Sequence, residues 1–166
     1  MIFTPAAQQE VQKPIPACPA CGKSGKRVEA QTVNAQLKKE FKESLSHEAD
    51  QFCFCTTPEC DTVYYSLDGE ESFPQAAIKS KVTIKNDDPS TPLCYCHKYT
   101  KQDALDDMKT MESHRLVRKI KEMIAGNKVC KKANPKGSCC TMDIRLFLAE
   151  YNIAWDEKRV SLSPRF

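Results

Sequence analysis

The sequence predicts an α+β chain in two parts, a small β unit with one helix followed by a helical unit. Three observations carry this. The ten cysteines fall into two blocks, residues 18–60 and residues 94–140. Strand-like runs are confined to the first half, and apolar stripes with helical period dominate the second. Charged residues make up 28% of the chain and hydrophobic ones 40%, so two units of this size each own a thin core and need staples such as metals or disulfides.

The elements follow in order. Residues 1–16 read as a loose amino-terminal segment, and residues 17–86 as the first subdomain. Cys18 to Cys21 forms a tight turn followed by Gly22-Lys23-Ser24-Gly25. Thr32 is a candidate N-cap for a helix whose buried stripe is Val33, Leu37, Phe41 and Leu45, every fourth position. Gln51 to Cys55 alternates weakly as a strand, Thr57-Pro58-Glu59 is a turn, Thr62 to Leu67 has strong strand chemistry, and Lys81 to Lys85 reads as a further short strand. Asn86 to Pro92 is polar with two prolines and reads as a linker. Residues 93–152 form the second subdomain. Thr100 and Asp103 fit a capping box. Leu116, Val117, Ile120, Met123 and Ile124 make an amphipathic stripe closed by Gly126. Asn134 to Gly137 is a turn, and Ile144, Phe147, Leu148 and Tyr151 give the face of a last helix. Residues 153–166 are a tail.

The cysteine spacing is that of metal ligands. Thiolates bind zinc and iron–sulfur iron strongly but calcium and magnesium poorly. Cys18 and Cys21 make a CxxC knuckle, and Cys55-Thr-Thr-Pro-Glu-Cys60 supplies a second loop. Four thiolates from two turns joined by a small sheet suit the closed tetrahedron of a structural Zn²⁺ in zinc-ribbon-like geometry. Cys53, two residues before Cys55, competes for the third position. Cys55 is preferred because it sits at the turn rather than inside the strand. The alternative is a set of buried, reduced thiols acting as small hydrophobes. In the second block, Cys94-Tyr95-Cys96 in extended backbone puts two sulfurs on one side. Cys130 lies beyond a helix end, and Cys140 opens a helix whose positive dipole end suits an anion. A [2Fe–2S] cluster needs four cysteines, two on each iron, and this block can supply them.

From Cys94 to about Tyr151 the sequence resembles the helical [2Fe–2S] domain of bacterioferritin-associated ferredoxin (BFD-like), in which the last cysteine opens a helix with an arginine five residues on. Cys140 and Arg145 match, which favours Cys140 over Cys139. The ten-residue step from Cys130 to Cys140 departs from the short CxxC of that family. CPACGKSGKRV, FCTTPECDTVYYS, CYCHKYT and NPKGSCC, in this order, resemble the amino-terminal metal domain of CopZ-type copper chaperones. That resemblance implies zinc on Cys18, Cys21, Cys55 and Cys60, and a [2Fe–2S] cluster on Cys94, Cys96, Cys130 and Cys140. It leaves Cys53 and Cys139 unassigned. The MxCxxC loop that carries copper in that family does not occur in this sequence. The implied link to copper handling therefore runs through the cluster, as in reduction of Cu(II) to Cu(I), with copper a further candidate ion.

The remaining features narrow the function. The amino terminus lacks the basic start and apolar run of a secretory signal, and no stretch is long enough to span a bilayer, so a reducing, cytoplasmic setting is expected. The net charge of +3, with lysines alternating with acids, gives nucleic-acid binding little support. His97, beside Cys96, reads as an exposed loop residue rather than a Rieske-type ligand. His47 and His114 read as surface residues, and Met108, Met111 and Met123 as core. The expected function is one-electron transfer or redox sensing linked to copper or iron homeostasis, with a redox or copper-handling protein as partner. The alternatives are a two-zinc scaffold, a Cu(II)-reducing enzyme and a disulfide-rich secreted fold.

Overall fold

The computed structural model describes residues 14–49, 51–126 and 128–155. The first half is built on an antiparallel sheet in the order β1-β2-β3-β4: β1 (Lys26–Arg27), β2 (Phe52–Phe54), β3 (Thr62–Ser66) and β4 (Ser72–Pro74). Phe54 pairs with Tyr64 and Cys53 with Tyr65 across β2 and β3. Side chains alternate along a strand, so this register separates two faces. Phe52, Phe54 and Tyr64 enter an apolar core with Val33, Leu37 and Phe73. Cys53, Cys55 and Tyr65 join Cys18 and Cys60 in a separate sulfur-rich cluster. All five residues of β3 are buried, which is why its sequence carries so little polar alternation.

The stripe at Val33, Leu37, Phe41 and Leu45 does face the core, but the helix that carries it is broken. Helix α1 spans Ala30–Gln36 and α2 spans Lys39–Glu43. Between them Leu37 is extended, with ψ 137°, and bridges to Ile78, while the Lys38 N–H donates to Ala77 O at 3.0 Å. A backbone partner outside the helix outcompetes the next helical hydrogen bond. Thr32 is not the N-cap. It lies inside α1, and its hydroxyl donates to Lys131 O at 2.6 Å. Residues 81–85 are not a strand either. Thr83–Lys85 forms a 3₁₀ turn.

The second half is helical: β5 (Pro92–Cys94) and β6 (Tyr99–Thr100) form a two-stranded ribbon, followed by α3 (Lys101–Thr110), α4 (Ser113–Ala125), α5 (Cys130–Ala133) and α6 (Thr141–Glu150). The Thr100–Asp103 capping box is present, and Gly126 is the C-cap of α4. Leu116, Val117 and Ile120 of α4 share one core with Ile144, Phe147 and Leu148 of α6, with Met108, Met111 and Met123 at its edge. Tyr151 is exposed, off the end of the α6 face. Residues 86–92 are a pinned turn rather than an open tether. Lys81 Nζ reaches Asp88 and Ser90, each at 2.7 Å, and Thr91 is fully buried. The expected loose ends at residues 1–16 and 153–166 fall mostly outside the described residues. Within them, Pro16 O accepts from the Tyr65 hydroxyl, and Ile153 and Trp155 pack on the second core.

His47 is not a free surface residue. Its Nε2 lies 2.5 Å from Asp68 and its Nδ1 2.7 Å from Glu71. Asp68 first and Glu71 second hold the imidazolium and raise its pKa. Asp68, held by the Ser66 hydroxyl, the Glu70 N–H and then His47, is lowered. Burial works against ionised Glu71, but hydrogen bonds from His47 and Ser46 outweigh it and lower it too. The raised histidine contributes stability below about pH 6.5, lost as pH rises through its folded value; the lowered acids contribute above about pH 4, lost as pH falls through theirs. His47→Gln should therefore cost most at about pH 5–6, and the loss in Tm should shrink toward pH 8. Thermal melts of both proteins across this range check it.

Candidate metal centres

The first knuckle turns at Gly22, whose φ of +71° is the left-handed conformation that glycine adopts at least cost. The turn is closed by Cys18 N–H to Lys23 O at 2.9 Å and Gly22 N–H to Cys18 O at 2.8 Å. The second loop leaves β2 at Cys55, whose N–H donates to Val63 O, and closes with Cys60 N–H to Thr57 O. The sulfurs of Cys18, Cys21, Cys55 and Cys60 consequently converge within 4.8 Å of one another. Cys18 lies 4.0 Å from Cys60, and Cys21 lies 3.8 Å from Cys55. Four sulfurs about 2.3 Å from a tetrahedral zinc stand about 3.8 Å apart, so the donor set and its spacing fit that ion. Cys53 shares the face but stays outside the quartet, buried in β2 against Tyr65.

Three residues that the sequence reading overlooked support this site. The Tyr65 hydroxyl accepts from Gly25 N–H at 2.9 Å and donates to Pro16 O at 2.8 Å, fastening the knuckle to the sheet. Lys85 Nζ donates to Thr57 O at 2.6 Å and Cys60 O at 2.9 Å, placing a cation against a loop that carries two thiols. Thr57 Oγ1 sits 3.3 Å from the Cys21 sulfur. The Thr57 contact first, then the Lys23 backbone, bring Cys21 down to about 6, whereas burial pushes Cys55 up to about 12. An incoming cation must therefore displace the proton that burial favours on Cys55.

In the second block, Cys94 ends β5 and is buried, but Cys96 lies in the following turn, which reverses at Lys98 with φ 53°. The CxC is therefore not one extended segment. The sulfurs pair across the chain instead. Cys96 lies 3.3 Å from Cys130, and Cys94 is hydrogen-bonded to Cys140. Cys139 contacts Cys130, and its sulfur is 3.1 Å from Thr141 Oγ1. All five line one cleft with His97, which is exposed as expected. The Cys140 contact first holds Cys94 down at about 6, while the same pairing and burial push Cys140 up. Burial and its Cys96 partner push Cys130 up to about 12. Cys140 is the N-cap of α6. Among the described residues, the first quartet is the one set of three or more candidate ligand atoms that converges within 4.8 Å. The second block instead sets Cys96 against Cys130 and Cys94 against Cys140, with Cys139 beside Cys130.

The Thr83–Lys85 turn is hydrogen-bonded to a loop of each set of cysteines. Tyr95, between Cys94 and Cys96, accepts from Thr83 N–H at 3.0 Å and donates to Lys81 O at 2.6 Å. Two residues on from Thr83, Lys85 holds the Cys60 loop.

Comparison with known proteins places this geometry. Residues 15–79 match the family model of a CopZ-type zinc binding domain. The first part of the chain is CopZ-like. The copper chaperone CopZ of Archaeoglobus fulgidus is 29% identical over 126 residues, 74% of this chain. The match spans 57% of that relative's length. The X-ray structure of the Archaeoglobus fulgidus CopZ N-terminal domain aligns with a TM-score of 0.66 at 26% identity, covering 82% of this chain and 98% of that one. The mixed α/β architecture with its antiparallel sheet accords with such a domain.

Tyr65→Phe should destabilise the protein by about 1–2 kcal/mol, because two partly buried backbone groups lose their partner. Chemical denaturation checks this. Adding zinc to metal-free protein at pH 7 should release protons, and its affinity should fall steeply below about pH 6 as Cys21 also becomes protonated. Calorimetry in buffers of different ionisation enthalpy measures both.

Proposed function

We propose that the chain is a two-centre metalloprotein that moves single electrons in copper handling. In this reading Cys18, Cys21, Cys55 and Cys60 hold a structural Zn²⁺, and Cys94, Cys96, Cys130 and Cys140 hold a [2Fe–2S] cluster in a BFD-like helical subdomain. The pairing of the second set of sulfurs carries the reading, because a two-zinc scaffold would call for a second compact quartet. When bound, the cluster would supply a one-electron couple, with a potential set by burial and hydrogen bonding.

This chain's own residues prepare for such a group. Cys94 and Cys140 are buried, which excludes water from one pair. The amino terminus of α6 offers its backbone N–H groups and positive dipole end to a net anionic cluster. Lys136 pairs with buried Asp143 in the first turn of that helix, keeping an uncompensated carboxylate away from it. Cu(II) is the proposed substrate, taking one electron and leaving as Cu(I). The partner would be a redox or copper-handling protein.

Protein purified without oxygen should be brown and contain, per chain, about one zinc, two irons and two sulfides. Two zincs and no sulfide would overturn the reading. Cys140→Ser should lose the iron, whereas Cys139→Ser should keep it. Dithionite-reduced protein should be reoxidised by Cu(II) with Cu(I) trapped by a chelator. Release of iron without Cu(I) would refute the copper step.

A further inference from the structure

Beside the cysteine cleft lies a second, larger cavity of about 580 Å³. Its walls come from α5 and the Gly137-Ser138-Cys139 segment, with Gln31 of α1 opposite. The two spaces meet at Lys128, Cys130 and Cys139, which line both. The narrow cleft is too tight to hold a water molecule, whereas the cavity is of a size that holds small organic molecules. If Cys130 is a cluster ligand, Cys139 is the uncommitted thiol facing the cavity.

The charged side chains that line the cavity are lysines. Lys128, Lys131 and Lys132 rim the cavity, and no acidic residue lines it among the described residues. Lys131 is paired with Glu29 at 2.6 Å. Lys128 and Lys132 have no acidic partner among the described residues. Exposed Val129 adds an apolar wall between them. A molecule suited to this space has an apolar body, carboxylates for two ammonium groups, and a sulfur that can meet Cys139.

We propose that the cavity binds a low-molecular-weight anionic disulfide, and that Cys139 is reversibly thiolated there. This rests on the reading above, in which Cys139 is not a cluster ligand. The Cys139 sulfur attacks one sulfur of the disulfide. The S–S bond opens, a mixed disulfide forms on Cys139, and the other half leaves as its thiol with the proton that Cys139 gave up. Cys139 is oxidised and the leaving sulfur is reduced. The adduct fills the cavity beside Cys130 and shields that side of the cleft, and an excess of small thiol removes it.

The test uses anaerobically purified, metal-loaded protein with two probes, glutathione disulfide (anionic) and cystamine (cationic). Intact mass and peptide mapping follow the adduct, and iron and sulfide are counted in parallel. Glutathione disulfide should modify Cys139 roughly tenfold faster than cystamine. The paired substitution Lys128→Glu with Lys132→Glu should reverse that order, and high salt should erase it in the unaltered protein. Cys139→Ser should abolish the adduct with iron and sulfide retained. Equal rates for the two probes, or an adduct on another cysteine, would overturn the proposal while the metal counts stand. Loss of iron in Cys139→Ser would instead overturn the ligand assignment beneath it.

Discussion

The second set of cysteines depends on hydrogen bonds donated by the first half of the chain. Helix α5 has four residues, too few to satisfy its own carbonyls. Side chains from α1 and β3 supply donors. Thr32 Oγ1 reaches Lys131 O, Gln36 Nε2 reaches Lys132 O and Ala133 O, and the Tyr64 hydroxyl reaches Pro135 O at 2.5 Å. Gly137 completes the fit, since a Cβ there would lie 2.7 Å from Thr32 Oγ1. The segment from Cys130 to Cys140 is thus shaped against a surface made almost a hundred residues earlier. Remove that surface, and two of the four proposed cluster ligands lose their fixed positions.

The same constraint explains how the first half divides its work. One face of the β2–β3 pair builds an apolar core that supports α1, and the other presents Cys53, Cys55 and Tyr65 to the knuckle. A strand pair with both faces occupied has no solvent side. The small sheet can therefore position a metal loop on one side and a docking helix on the other, which a thin core alone would not achieve.

Local chemistry made part of this legible in the sequence. Turn residues and cysteine spacing placed the quartet at residues 18, 21, 55 and 60, and the Thr100–Asp103 box and the α4 and α6 stripes are short-range signals that the structure obeys. The misreadings share a different cause. Leu37 leaves the helix for a bridge to Ile78, Thr32 gives its hydroxyl to Lys131 O rather than to its own helix, and residues 83–85 coil with Thr83 held by Pro92 O of β5 and Lys85 by Cys60 O. None of these partners belongs to the element it reshapes, and periodicity along one element does not see them. The histidine clamp at His47 was hidden for the same reason, since Asp68 and Glu71 lie on the hairpin that follows β3.

The Thr83–Lys85 turn has one further consequence. It grips the Cys60 loop at one end, and at the other it grips the tyrosine between Cys94 and Cys96. Three consecutive residues cannot be ordered at one end and loose at the other without cost. On the proposed reading, an ion that stiffens the Cys60 loop would lower the entropy that the Cys94–Cys96 loop must lose on capturing a metal of its own, and by thermodynamic reciprocity the reverse would hold equally. In the proposed two-centre reading, filling one centre would favour filling the other, although no ligand is shared between them.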